Sequence, residues 1–114
     1  MEPVDIARRT VEIASDRLAS QIVMLDVAAI TSFADYFVLC SGDSERQLKA
    51  IADDITTHLK KEGVRALHQE GSPASGWILI DYGAVIVHVF GPEQRQYYQL
   101  DELWCRDNAV ITIQ

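Results

Sequence analysis

The residues in this chain that could do chemistry are few. His58, His68 and His88 are of the type that ligates metals or exchanges protons near neutral pH. None has a cysteine or a paired carboxylate beside it at ligand spacing. Cys40 and Cys105 are isolated, so neither a metal site nor a disulfide framework is expected. Cys40 lies in the apolar run DYFVLCS and reads as a small buried hydrophobe. Ser41-Gly42-Asp43-Ser44 would cradle a phosphate if it led a strand into a helix, because the first N–H groups of a helix have no partner inside it. The same four residues are also ordinary turn and capping chemistry. Magnesium-assisted nucleotidyl transfer would need two or more carboxylates on a strand. Asp81 stands alone, and Asp26 has no companion two residues away. The sequence has no P-loop and no G-x-S-x-G, G-x-G-x-x-G or H-E-x-x-H pattern. On these grounds no catalytic residue, metal or cofactor is expected.

A different chemistry is written into GWILIDYGAVIVHVF (76–90), where Trp77, Asp81 and His88 interrupt an apolar run. Side chains alternate across a strand. If Tyr82-Gly83 forms a two-residue hairpin loop, Asp81 faces Ala84, Leu79 faces Ile86 and Trp77 faces His88. Trp77, Leu79, Asp81, Ile86 and His88 then share one face. Ile78, Ile80, Val85 and Val87 share the other, purely aliphatic face, which must be core. The mixed face is either covered, with His88 satisfied inside, or it is a binding surface with an aromatic anchor and an acid. Tryptophan is the residue type most enriched at interface hot spots.

Several elements must position these residues. In residues 3–19, Val4, Ala7, Val11, Ala14 and Leu18 recur at helical spacing behind Pro3, which suits a first helical turn. QIVMLDV (21–27) and DYFVLCS (35–41) read as strands, the second buried on both sides. Residues 44–62 form the clearest element. Leu48, Ile51, Ala52, Ile55 and Leu59 make one stripe, Ser44 or Asp43 caps its start, Lys60 and Lys61 suit its last turn, and Gly63 closes it. VRALHQE (64–70) is expected as a third strand, making a parallel crossover. GSPASG is a loop, and strands 77–81 and 85–90 follow it. Tyr97, Leu100, Leu103 and Trp104 have helical spacing, so a short terminal helix is expected to pack there, and AVITIQ is expected as an extended tail. The fold class is α/β, a single domain over residues 1–114, with a mixed sheet of about five strands flanked by helices.

Composition narrows the partners. The 114 residues are 48% hydrophobic, enough for a core without staples, and no run is long enough to cross a membrane. The N-terminal stretch lacks the layout of a secretion signal, so a cytoplasmic protein is expected. A net charge of −7 disfavours free nucleic acid as a direct partner. From Ala66 through Gln94 there is no Lys or Arg, while Glu70, Asp81 and Glu93 are present. That stretch favours a basic partner.

ADYFVLCSGDSERQLKAIAD, GVRALHQEG, GWILIDYGAVIVHVF and RQYYQLDELW, in that order and spacing, resemble the Iojap / ribosomal silencing factor (RsfS) family. The resemblance runs from the first helix to Trp104. It implies an α/β fold similar to nucleotidyltransferases but without their catalytic carboxylates. It also implies binding to the large ribosomal subunit, on its basic fourteenth protein, at the face that meets the small subunit. Subunit joining would then be blocked and translation lowered when nutrients are short. Organelle relatives are linked to large-subunit assembly. Trp77, Leu79 and Asp81 match the family's W-x-L-x-D segment. His68, Glu70 and Gly71 match H-x-E-G, and Tyr98 matches the second tyrosine of Y-Y. The implied protein-binding residues are therefore His68, Glu70, Trp77, Leu79, Asp81 and Tyr98. Trp77 is expected as the anchor, Leu79 as an apolar contact, and Glu70 and Asp81 as partners for Lys or Arg. Ala84 departs from the pattern, which commonly has an acid there. A monomer or weak homodimer is expected. The alternative is a nucleotide-binding or nucleotidyl-transfer enzyme built on Ser41–Ser44.

Overall fold

The structure is a computed structural model that describes residues 1–94 and 109–113. Helix α1 spans Pro3–Asp16 and helix α2 spans Glu45–Lys61. The strands are β1 (Ser20–Asp26), β2 (Tyr36–Ser41), β3 (His68–Ser72), β4 (Trp77–Asp81), β5 (Val85–Phe90) and β6 (Ala109–Ile113). They form one mixed sheet in the order β3-β4-β5-β2-β1-β6. Among the described strands only β2 and β5 pair in parallel. β3 therefore runs in the direction of β2, as expected of the crossover through α2, with β5 and β4 lying between them.

The sheet has six strands rather than about five, because 109–113 is not a free tail. Its β-branched run pairs antiparallel with β1 (Met24 opposite Ile111) and covers what would otherwise be an open edge. The third strand also lies further along the chain than the expected 64–70. Val64 is taken up by the end of α2, its N–H donating to the Leu59 carbonyl at 2.8 Å, and pairing starts only at His68.

α2 forms as its stripe dictates. Leu48, Ile51, Ala52, Ile55 and Leu59 are all buried, and the Ser44 hydroxyl accepts the Gln47 N–H at 3.1 Å. α1 buries Ile6, Ala7, Val11, Ile13 and Ala14, but Leu18 does not continue its stripe. Leu18 lies past the helix end at φ 60°, and it is 82% exposed. Its N–H donates to Ser15, and that of Ala19 donates to Ala14, both at 3.0 Å. This pair of bonds ends a helix by turning one residue left-handed, so the helical period stops before Leu18. Arg17 reaches across to hold Asp54 of α2 with two bonds, and its guanidinium keeps the Asp54 carboxyl below the usual range.

Both helices pack on one side of the sheet. Their stripes meet Met24, Val38, Cys40, Ile78, Ile80, Val85, Val87 and Val89 in the larger core, where Cys40 is fully buried as expected. The opposite side carries a second cluster of Val23, Leu25, Val27, Ala34, Phe37, Leu39, Ile86 and Phe90. Among the described residues, no helix contributes to it. Trp77 and Leu79 lie partly buried at its margin.

The β4–β5 hairpin corrects the expected register by two positions. Trp77 lies opposite Phe90, Leu79 opposite His88 and Asp81 opposite Ile86. Tyr82 still belongs to the ladder, donating its N–H to Val85 at 2.9 Å, and the turn is made by Gly83 and Ala84. Asp81 sets this turn, because its Oδ1 accepts the Gly83 N–H at 2.7 Å, and Gly83 sits at φ +87°. A shift of two leaves every side chain on the same face, so the division into an aliphatic and a mixed face holds.

Tyr82 is drawn into the helix-side core at 8% exposure, and its hydroxyl has no hydrogen-bond partner among the described residues. Burial pushes its pKa up to about 12 from 10.0. Below pH 10 both states are protonated. As pH rises further the unfolded chain ionises first, so stability falls between pH 10 and about 12. Tyr82→Phe is expected to match the parent or exceed it by about 1 kcal/mol at pH 8, since it removes a buried unpaired hydroxyl. Its advantage should widen at pH 11. Urea unfolding at both pH values is the measurement, and a destabilised variant at pH 8 would show that the hydroxyl is bonded.

Candidate functional site

The site is built where β3 meets β4. In an antiparallel pair, residues directly opposite one another share a face. His68 lies opposite Asp81, Glu70 opposite Leu79 and Ser72 opposite Trp77. The pairing therefore brings His68, Glu70, Trp77, Leu79 and Asp81, which the sequence places in two separate segments, onto one face of the sheet. That is the side away from α1 and α2. Tyr98, the remaining candidate, and the terminal helix expected around Tyr97, Leu100, Leu103 and Trp104 lie outside the described residues.

β3 is an edge strand and all five of its residues are exposed. β4 alternates between buried and half-buried, with Ile78 and Ile80 turned into the core and Trp77, Leu79 and Asp81 turned to this face. The His68 Nε2 lies 2.8 Å from Glu70 Oε1, two residues along the same side of β3. The Asp81 carboxylate is steadied by its bond to the Gly83 N–H. Trp77 rests on buried aromatic rings. Its indole stacks on Phe90 at 5.7 Å between centroids and on His88 at 5.9 Å, and its Nε1–H donates to His88 Nδ1 at 3.2 Å. The register places His88 diagonal to Trp77 rather than directly opposite it.

Glu70, Gly71, Ser75, Trp77 and Leu79 line a small cleft of about 120 Å³. Ser75 is the residue that sequence reading did not single out. Its hydroxyl, with a single proton to share, lies 2.8 and 3.1 Å from the carbonyls of Ser72 and Trp77 and so ties the β3–β4 loop to the cleft wall. The Ser-Pro-x-Ser spacing is the local signal for such a turn. The cleft is well below the roughly 300 Å³ at which small-molecule sites begin. It suits a single side chain. A carboxylate beside an indole and a leucine accommodates the aliphatic stem of a Lys or Arg together with its charge.

The Ser41–Ser44 turn is arranged differently. Ser44 caps α2 by accepting the Gln47 N–H, and the Asp43 N–H donates to the Gln47 side chain at 2.7 Å, so local side chains take up two of the donors a phosphate could use. The larger cleft beside this turn, about 500 Å³, is lined by Asp43, Glu45 and Glu93 and by no Lys or Arg among the described residues. Such a lining repels phosphate. Among the described residues, no three His, Cys, Asp or Glu are grouped to hold a metal ion. No described helix is long and apolar enough to cross a membrane.

Comparison with known proteins gives a consistent result. The family described as "Ribosomal silencing factor during starvation" matches residues 1–114. A ribosomal silencing factor RsfS from Halalkalibacterium halodurans is 36% identical over 104 residues, covering 91% of this chain and 89% of its own length. The mouse protein named for mitochondrial assembly of the ribosomal large subunit is 34% identical over 89 residues, which is 75% of this chain and 39% of that protein. A crystal structure of a protein from Chromobacterium violaceum superimposes with a TM-score of 0.87 at 34% identity, covering 97% of this chain and 94% of the other.

Proposed function

The chain belongs to the RsfS family of ribosomal silencing factors, and from that premise we propose that it binds the large ribosomal subunit and keeps the small subunit from joining it. The contact is a basic protein of the large subunit, the fourteenth, which the Trp77 face engages. The protein makes no chemical change in its target and works in the cytoplasm, lowering translation under nutrient limitation by occupying space that the small subunit needs. The observation that carries this reading is the cleft between Glu70, Trp77 and Leu79 on an exposed sheet edge, shaped for one cationic side chain. The absence of Lys and Arg from 66–94 supports it, because an acidic surface speeds encounter with a basic target and an apolar anchor slows release. A monomer or weak homodimer fits the same reading. A second copy seated on this face would compete with the ribosome.

Purified large and small subunits, mixed with and without the protein, test the proposal. Joining should fall as protein is added, with the protein sedimenting on large subunits alone. Unhindered joining would overturn it. Glu70→Lys separates the electrostatic part of the account. It should weaken binding several-fold near 0.1 M salt, where charges interact over about 10 Å, and much less near 1 M. An unchanged affinity at low salt would remove Glu70 from the interface.

A further inference from the structure

We infer that His88 is a positioning residue: from the neighbouring strand β5, on the same face of the sheet, it holds the Trp77 indole in its docking orientation through a hydrogen bond that requires one tautomer of the imidazole. The inference rests on the docking role proposed for Trp77, but its central claim, the fixed indole, can be read without any ribosome.

His88 is 6% exposed and lies between Phe37 and Phe90, themselves 5% and 0% exposed. Its ring is parallel to that of Phe90, 4° between planes at 5.8 Å, and meets Phe37 edge-on at 5.3 Å. Phenylalanine at this position would fill the volume and stack equally well, without bringing a polar ring inside. What histidine adds is an acceptor. The indole N–H is a donor only, so the nitrogen it meets, Nδ1 at 3.2 Å, must present a lone pair. The neutral imidazole then carries its proton on Nε2. Trp77 is half-buried at the margin of its cluster, and ring stacking by itself does not dictate which edge of an indole faces which way. A directional bond added to the stack fixes which edge of the indole faces the cleft. A side chain already fixed loses less freedom on docking.

The test replaces His88 with Phe, which keeps the ring and removes the acceptor, and with Asn, whose side-chain oxygen comes near the place of Nδ1. Protein labelled with 15N-tryptophan reports the indole N–H directly, the Trp77 signal being assigned by its loss in Trp77→Phe. In the parent that proton should exchange slowly with water. His88→Phe should shift it and speed its exchange, and should weaken large-subunit binding about tenfold without lowering the unfolding midpoint. His88→Asn should restore the slow exchange and most of the affinity, which a merely space-filling role would not predict. A rapidly exchanging Trp77 indole proton in the parent overturns the inference whatever the variants do. So does a His88→Phe protein with an unchanged indole signal and unchanged affinity. If His88→Phe does not fold, His88→Leu takes its place with the same expected outcomes. A parent that shows the fixed indole yet never binds large subunits would remove the proposed function and leave the positioning intact.

Discussion

Trp77→Ala is expected to weaken binding to large ribosomal subunits by about thirtyfold while leaving a folded domain. The size follows from the place of the side chain. A tryptophan at the centre of an interface contributes about 2 kcal/mol or more on truncation, and 1.4 kcal/mol is a factor of ten. Trp77 has the features of such a residue. It is half-buried, it is backed by the rings of Phe90 and His88, and it shares a cleft with Glu70 and Leu79. The cost to the fold should be smaller. A fully buried tryptophan loses about 3 to 5 kcal/mol on truncation to alanine, but Trp77 packs at the edge of its cluster and the larger core does not touch it. About half of that loss is expected. Urea unfolding and co-sedimentation with purified large subunits, run on the same preparation, give the two numbers. Collapse of the fold would make the indole core rather than anchor. A stable variant that binds like the parent would move the docking face elsewhere.

Sequence alone carries much of this site, and where it stops the reasons are physical. The division of 77–90 into an aliphatic and a mixed face was legible because strand alternation depends only on parity, and the true register differs by an even number. The register itself was not legible. It depends on one side-chain bond, from the Gly83 N–H to Asp81, and on the burial of Tyr82, neither of which hydropathy encodes. α2 was readable to within one residue at each end, since its stripe, cap and terminal glycine all agree. β3 was placed early because all of its residues are exposed, so it has no apolar alternation to mark its ends. β6 was missed as a strand because its partner, β1, lies more than eighty residues earlier in the chain, and nothing local records that pairing. The cleft has the same origin. Glu70 and Trp77 are each visible in the sequence, but only the β3–β4 ladder brings them to one pocket.

That ladder has one position at which a single methyl group should undo it. Gly71 lies opposite Ile78 at φ +84°, and a Cβ built there would sit 2.0 Å from the Trp77 carbonyl oxygen and 3.0 Å from its carbonyl carbon. These are backbone atoms, so no rotamer change relieves the contact. Among the described strands β3 is held on one side only, by β4, and all of its residues are exposed, so the cheapest relief is for β3 to lift away. Gly71→Ala is therefore expected to cost about 2 to 5 kcal/mol, from the left-handed backbone and the overpacking together. It should also weaken large-subunit binding at least as much as Trp77→Ala, although no side chain of the proposed interface has changed. Gly63→Ala isolates the backbone part, because Gly63 sits at φ +91° with nothing within 4 Å of its Cβ position. Subtracting its loss in urea unfolding leaves the cost of the close approach alone. If the two substitutions cost the same, β3 accommodates the methyl without parting from β4. The cleft would then be a looser structure than docking a single cationic side chain requires.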